Sequence, residues 1–295
     1  MLSIIVSSCD DRLLSDLSNS IENTVGIEYE LIAIKNENAA YSLSEAYNLG
    51  ALQARFGALL FVHEDVIFHT ENWGKQLVKH LETLPNVGLV GISGSAYKPF
   101  VPSSWHFERS APLSYRFIQG FKYSSQPNRL RDLNASSVRP VVCLDGVFLA
   151  VKKSTFDTVR FDETVEGFHA YDTDFSLRIA ENFQNYFVPD ILIEHLSEGK
   201  INDQWIINAL KVQQRWMAKL PRSIDPENDL DLEHEISAYD YFVKNLLVSS
   251  LPIDRKLSYL SRVTFDATRR TRSPRFIITL IGSFMSLLRL FLRRK

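Results

Sequence analysis

Residues 58–65 read Ala58-Leu59-Leu60-Phe61-Val62-His63-Glu64-Asp65, an apolar run that passes directly into three polar side chains. A short apolar run bounded by polar residues predicts a buried strand, and its polar end predicts a place where the chain meets solvent and ligands. The same cycle occurs twice upstream. Residues 2–6 form a β-branched run that ends in Ser7-Ser8-Cys9-Asp10, and residues 13–21 then carry helical spacing. Residues 29–34 end in Lys35-Asn36-Glu37-Asn38, and residues 42–53 follow as a helix, with Ser42 and Glu45 spaced as a capping box. Downstream, residues 73–84 are helical in period and residues 87–92 strand-like. This alternation predicts an α/β fold, a mostly parallel sheet flanked by helices, in which ligands bind at the carboxyl ends of the strands.

Residues 98–137, rich in Pro, Ser, Arg and aromatics and without a clear period, are expected to form a long, partly ordered insertion. An apolar stretch at 141–151 is broken by Asp145-Gly146. A loop and helix start span 168–178, residues 186–193 read as one strand, and residues 201–220 read as a helix. The acidic stretch 225–235 is expected to be a boundary or linker, giving a first domain over 1–224, a helical C-terminal appendage over 225–268 and a tail over 269–295.

The chain of 295 residues has a formal charge of -2, which supplies no overall basic field and argues against nucleic acid as a partner. Its two cysteines, Cys9 and Cys143, suggest neither a disulfide framework nor a zinc cluster, so a reducing compartment is the simpler expectation. No apolar segment with a basic lead opens the sequence, and no GxxxxGK[ST] phosphate loop is present. The tail is different in character: residues 269–295 carry eight basic residues and no acidic one, around a mostly apolar run at 276–292. At the helical rise that run reaches only about 26 Å, short of a bilayer core. It is expected to lie in the interface of an anionic membrane, on the cytoplasmic face, the alternative being a partner-binding helix.

Three strand or helix ends could do chemistry. Glu64 and Asp65 can hold Mg2+ or Mn2+, which prefer carboxylate and phosphate oxygens, unless they form only an acidic turn. Asp172 and Asp174 begin a predicted helix, where they either cap it or, for Asp172, accept a proton, with Arg178 orienting the preceding loop. His195 follows a predicted strand and completes the metal's ligands if the sheet brings it beside Asp65.

Taken together, LLFVHED resembles the strand-end DxD motif, and GFHAYDTDFSLR the base motif and following helix, of family 2 glycosyltransferases with the GT-A fold; the latter, like SLSEAYNLGA, is similar to a branch with a StrF-like domain. The resemblance covers about residues 1–220. It implies a UDP- or dTDP-linked sugar donor, a divalent cation on its diphosphate, inversion at the anomeric carbon, and a glycan or lipid-linked acceptor in cell-surface polysaccharide or lipooligosaccharide synthesis. By position it makes Asp65 the metal ligand and Asp172 the base. It places Asp10 and Asn36 at the nucleotide, their alternative being turn residues, and puts Asp145, with Asp174 and Arg178, toward the sugar and acceptor. The sequence departs from the motif where His63 replaces the first DxD carboxylate and Tyr171 the first residue of the base motif. A sugar nucleotidyltransferase and a noncatalytic scaffold are the competing expectations, and homo-oligomer formation stays open.

Overall fold

The computed structural model describes residues 1–122, 126–197, 199, 201–225, 230–274, 277–278, 281–282 and 285. Two compact units emerge, Met1–Tyr97 with Pro112–Gly199, and Lys98–Ala111 with Lys200–Lys295.

The first unit begins with β1 (Leu2–Ser8), α1 (Asp11–Thr24), β2 (Tyr29–Lys35), α2 (Leu43–Gln53), β3 (Ala58–His63), β4 (Val66–Phe68), α3 (Trp73–Thr83), β5 (Val87–Gly91) and β6 (Ser93–Ser95). After β7 (Tyr97–Lys98) come β8 (Leu113–Gln119), β9 (Arg129–Leu133), β10 (Arg139–Val141), β11 (Cys143–Leu144), β12 (Phe148–Lys152), α4 (Lys153–Thr158), α5 (Tyr171–Ile179), β13 (Gln184–Phe187) and β14 (Ile193–His195). Among the described residues the larger sheet has seven strands in the order β10-β13-β5-β12-β3-β1-β2. β1 runs parallel to β2 and β3, and β13 parallel to β5; β12, inserted between β3 and β5, is antiparallel to both. The inner strands are apolar because helices cover them: Leu17 and Ile21 of α1 and Trp73, Leu77 and Leu81 of α3 pack into one core with Ile4, Val6, Leu60 and Val62. Both halves of the capping box expected at α2 are present, Ser42 N–H donating to Glu45 Oε2 at 2.7 Å and Glu45 N–H to Ser42 Oγ at 3.2 Å.

Two sequence expectations are corrected here. Residues 98–137 contain regular structure: β8 and β9 pair antiparallel, and β8 lies between β6 and β14 in the second sheet, ordered β11-β6-β8-β14-β4. The apolar run 186–193 is two strands in different sheets, β13 and β14, separated at Pro189-Asp190, because proline cannot donate to a ladder.

The second unit contains α6 (Asp203–Trp216), β15 (Arg222–Ser223), α7 (Leu232–Val248) and α8 (Ile253–Thr271). Its acidic stretch is a helix start rather than only a linker. Asp231 Oδ1 accepts from the Glu233 and His234 amides, and buried Glu235 accepts from the amides of Phe100 and Val101 at 3.0 and 3.3 Å. α8 runs through Thr271, past the boundary expected at residue 268, and Arg270 donates to the carbonyls of Leu220 and Met217. Most of the apolar run 276–292 lies outside the described residues; of those described, Ile278 and Ile281 are exposed. No helix among the described residues is long and apolar enough to cross a membrane.

Candidate active site

β3 delivers His63 at its last residue, and the turn into β4 carries Asp65. β4 then pairs antiparallel with β14, setting Val66 opposite His195, and the Leu196 amide donates to the Asp65 carbonyl at 3.0 Å. That pairing brings His195 Nε2 to 3.3 Å from Asp65 Oδ1. One donor atom each from His63, Asp65 and His195 lie within 4.8 Å of one another, and Asp65 is buried. Burial followed by the charge of His195 pushes the His63 pKa down to about 4, so its imidazole is neutral, as a metal ligand must be. Burial alone would raise the Asp65 pKa; the hydrogen bond and charge of His195, with His63 and Lys122, outweigh it and hold the carboxyl below the usual carboxylate range.

The structure adds Lys122, whose Nζ lies 2.9 Å from Asp65 Oδ2. Nothing in the sequence pointed to it, because it falls in the stretch read as aperiodic. It separates Glu64 from Asp65 as well: Glu64, expected as a second metal ligand, lies outside the cluster. Its carboxylate accepts from the Cys9 and Asp10 amides at 2.9 and 3.1 Å and from the Cys9 thiol at 3.0 Å. The turn after β3 thus sends the Glu64 side chain to the end of β1 and the Asp65 side chain to the cluster.

Asp172 sits in the first turn of α5. Its Oδ2 accepts from the Gly146 amide at 3.1 Å and its Oδ1 from the Thr173 amide at 2.7 Å. Burial, then the charge of Asp145, pushes its pKa up to about 7 against those two N–H bonds. Tyr171 hydrogen-bonds His63 Nε2 at 2.9 Å, so the residue that replaces the first base-motif carboxylate joins α5 to the His-Asp-His cluster. The loop into α5 is held in unusual backbone: Ala170, which has a Cβ, adopts φ +65, a conformation that costs of order 1 kcal/mol and concentrates at functional sites.

Asp145 Oδ1 accepts from the Val147 amide at 3.1 Å beside Asp172. Asp174 is buried in the first turn of α5, and Arg178 donates to Asp162 Oδ2 at 3.4 Å, bracing the loop that precedes the helix. Asp10 caps α1, its Oδ1 accepting from Arg12 and Leu13 amides at 2.9 and 3.2 Å. Asn36 is buried, with its side chain bonded to Ser7 Oγ and to the Tyr41 backbone. Both act in these bonds as loop-forming residues, which is the turn reading. Around them, at the carboxyl ends of β1 and β2, lies a cavity of about 390 Å³ lined by Ser8, Cys9, Asp11, Lys35, Glu37 and Asn38. Five of its lining residues, Ser8, Cys9, Lys35, Glu37 and Asn38, belong to the polar stretches that end the first two apolar runs.

The α/β sheet thus carries a His-Asp-His cluster at a strand end and a buried aspartate on the adjoining helix. The sequence pattern of a glycosyltransferase-like family matches residues 3–219, and the chain belongs to that family. No curated protein matches it. Similar solved structures include GalNAc-T7 with UDP, GalNAc and Mn2+ (12% identity, TM-score 0.52), which aligns over 92% of this chain and 57% of that one. This chain therefore spans little more than half of that protein. Another is the mannosyltransferase PcManGT from Pyrobaculum calidifontis in complex with GDP-Man and Mn2+, with 14% identity and TM-score 0.52 over 97% of this chain and 86% of that one. At such identities the likeness is one of fold.

Proposed function

We propose that this glycosyltransferase is metal-dependent and inverting, and moves a sugar from a UDP- or dTDP-linked donor to a glycan or lipid-linked acceptor in cell-surface polysaccharide or lipooligosaccharide synthesis. The observation that carries the reading is the junction of two sites through one hydrogen bond: the His63-Asp65-His195 cluster and the Asp172 helix meet at His63 and Tyr171. The two solved proteins of the same fold, bound to UDP with GalNAc or to GDP-Man, both carry Mn2+, which supports a nucleotide sugar and a cation here.

His63, Asp65 and His195 would hold the cation. Two imidazoles beside a single carboxylate suit Mn2+ better than Mg2+, whose preference is for oxygen. A divalent cation supplies positive charge against the diphosphate as it leaves. His63 replaces a carboxylate without removing a ligand, which favours an enzyme over a noncatalytic scaffold. Asp172 accepts the proton of the acceptor hydroxyl; the hydroxyl oxygen bonds to the anomeric carbon as the bond to the diphosphate breaks on the opposite face, giving inversion. A carboxylate with a pKa near 7 is a stronger base than an ordinary one and is still largely ionised just above neutrality. The Gly146 and Thr173 amides fix its orientation.

The cytoplasmic face of the cell membrane fits the tail's eight basic residues in 269–295 and the exposed Phe265, Ile278 and Ile281. Release of nucleoside diphosphate from a panel of UDP-, dTDP- and GDP-sugars, with and without Mn2+, tests the activity. Cation-dependent release from a uridine or thymidine donor is expected; no release from any donor under either condition would leave the scaffold.

A further inference from the structure

Both oxygens of Asp65 are engaged: Oδ1 with His195 Nε2 at 3.3 Å and Oδ2 with Lys122 Nζ at 2.9 Å. Lys122 is also anchored through its backbone. Gly120 N–H donates to the His195 carbonyl at 2.9 Å, Lys122 N–H to the Leu196 carbonyl at 3.0 Å, and Leu196 N–H to the Asp65 carbonyl at 3.0 Å. The three segments are zipped together, so the Lys122 main chain is fixed beside the cluster. Its side chain, partly exposed, ends in a compact charge on a flexible stem that can turn.

Lysine and a divalent cation compete for the same carboxylate. Counting ligand imidazoles as neutral, Asp65 and Lys122 cancel; a cation alone would leave the site with about two positive charges in a partly buried setting, an unfavourable state. A diphosphate carries about two negative charges and restores neutrality, provided Lys122 remains beside it. Resting on the metal-centre reading above, we propose that Lys122 is a diphosphate-binding residue, held by Asp65 in the unliganded protein and handed to the donor's diphosphate when Asp65 turns its oxygen to the cation. Cation and diphosphate then enter cooperatively, because each removes the penalty of the other.

Binding of Mn2+ alone, followed by electron paramagnetic resonance, and binding of pyrophosphate and of UDP in saturating Mn2+, followed by calorimetry, are compared in wild type, Lys122→Met and Lys122→Arg. Removing the charge should move the two affinities in opposite directions: Lys122→Met binds Mn2+ alone about tenfold more tightly, and pyrophosphate and UDP about tenfold more weakly, as loss of one charge-assisted hydrogen bond dictates. Lys122→Arg should stay near wild type in both. A merely structural lysine would lower both affinities together, with a lower melting temperature; that result, or no change in either, overturns the proposal. If wild type binds neither Mn2+ nor UDP with Mn2+, the metal-centre reading fails, and this inference with it.

Discussion

The hydroxyl of Tyr171 stands 2.9 Å from Nε2 of His63, which ties the first residue of α5 to the last residue of β3. Tyr171 is buried and also hydrogen-bonds Tyr47, and burial followed by Tyr47 raises its pKa well above the ordinary phenol value. It stays a neutral hydroxyl whose oxygen can accept from an Nε2–H of His63, the tautomer that leaves Nδ1 for a cation. Asp172 is the next residue, so any displacement of this ring reaches the cluster and Asp172 together.

Gly146 permits the contact. A Cβ on Gly146 would lie 2.0 Å from the Tyr171 hydroxyl oxygen and 2.5 Å from the adjacent ring carbon. Gly146→Ala should therefore displace the ring, lower stability by about 1–3 kcal/mol, the usual cost of overpacking, and weaken cation-dependent donor binding. Urea unfolding and UDP calorimetry check both effects; an unchanged protein would mean the ring has room that the structure does not show.

Asp172→Asn should lower turnover on the order of 10²-fold or more while leaving donor affinity near wild type, because it removes a proton acceptor at constant volume. A loss of a few-fold would assign Asp172 to capping α5.

The pH dependence has a definite sign. The folded-state pKa of Asp172, about 7, lies above the ordinary carboxylate range. The folded protein thus holds this proton more tightly than the unfolded chain, and the group's contribution to stability falls as pH rises from about 4 to about 7. Activity should rise across the upper part of that window as the base ionises. Denaturation midpoints and initial rates between pH 5 and pH 8 are expected to move oppositely in wild type, and Asp172→Asn should lose this component of the stability slope.

Asp65→Ala should weaken donor binding when Mn2+ is present and much less when it is absent, and His195→Ala should do the same more mildly. A carboxylate contributes charge as well as a ligand atom, whereas a neutral imidazole contributes only the latter. Donor affinity in wild type that ignores Mn2+ altogether would contradict the assignment.

Because α8 extends to Thr271 and Arg270 bonds the chain at Leu220 and Met217, the truncation that probes the tail should begin after Arg272. Deleting residues 273–295 should release the protein from anionic liposomes yet preserve activity toward a soluble acceptor analogue. The deleted piece carries five basic residues, at about 1 kcal/mol each near an anionic surface, and salt should reverse only their share. Full-length protein that ignores such liposomes would make the tail a partner-binding helix.

The strand-helix alternation was legible because the strands at the larger sheet's centre are mostly apolar runs stopped by polar residues, as at Val62-His63 and Val6-Ser7. Asp65, His195 and Asp172 could be named from where such runs stop. Their meeting could not, since it depends on the pairing of β4 with β14, two strands of three residues each that are too short to show a period. Lys122 was invisible for a related reason: its position is set by main-chain bonds to Leu196, and main-chain bonds leave no signature in side-chain pattern. The run 186–193 misled because hydrophobicity alone does not say in which sheet a residue is buried.

The main-chain zip that unites Asp65, Leu196 and Lys122 also dictates an order of events during folding. Its three segments are remote in sequence, so closing them requires the loops between them to lose their freedom first, and such long-range closures come late. The α-helices and the β1–β2 pair can form from nearer neighbours. Capture of Mn2+ with UDP during refolding should accordingly lag behind recovery of helical signal, which makes the ligand a reporter of the final assembly step and, by mass action, a stabiliser of the completed state alone.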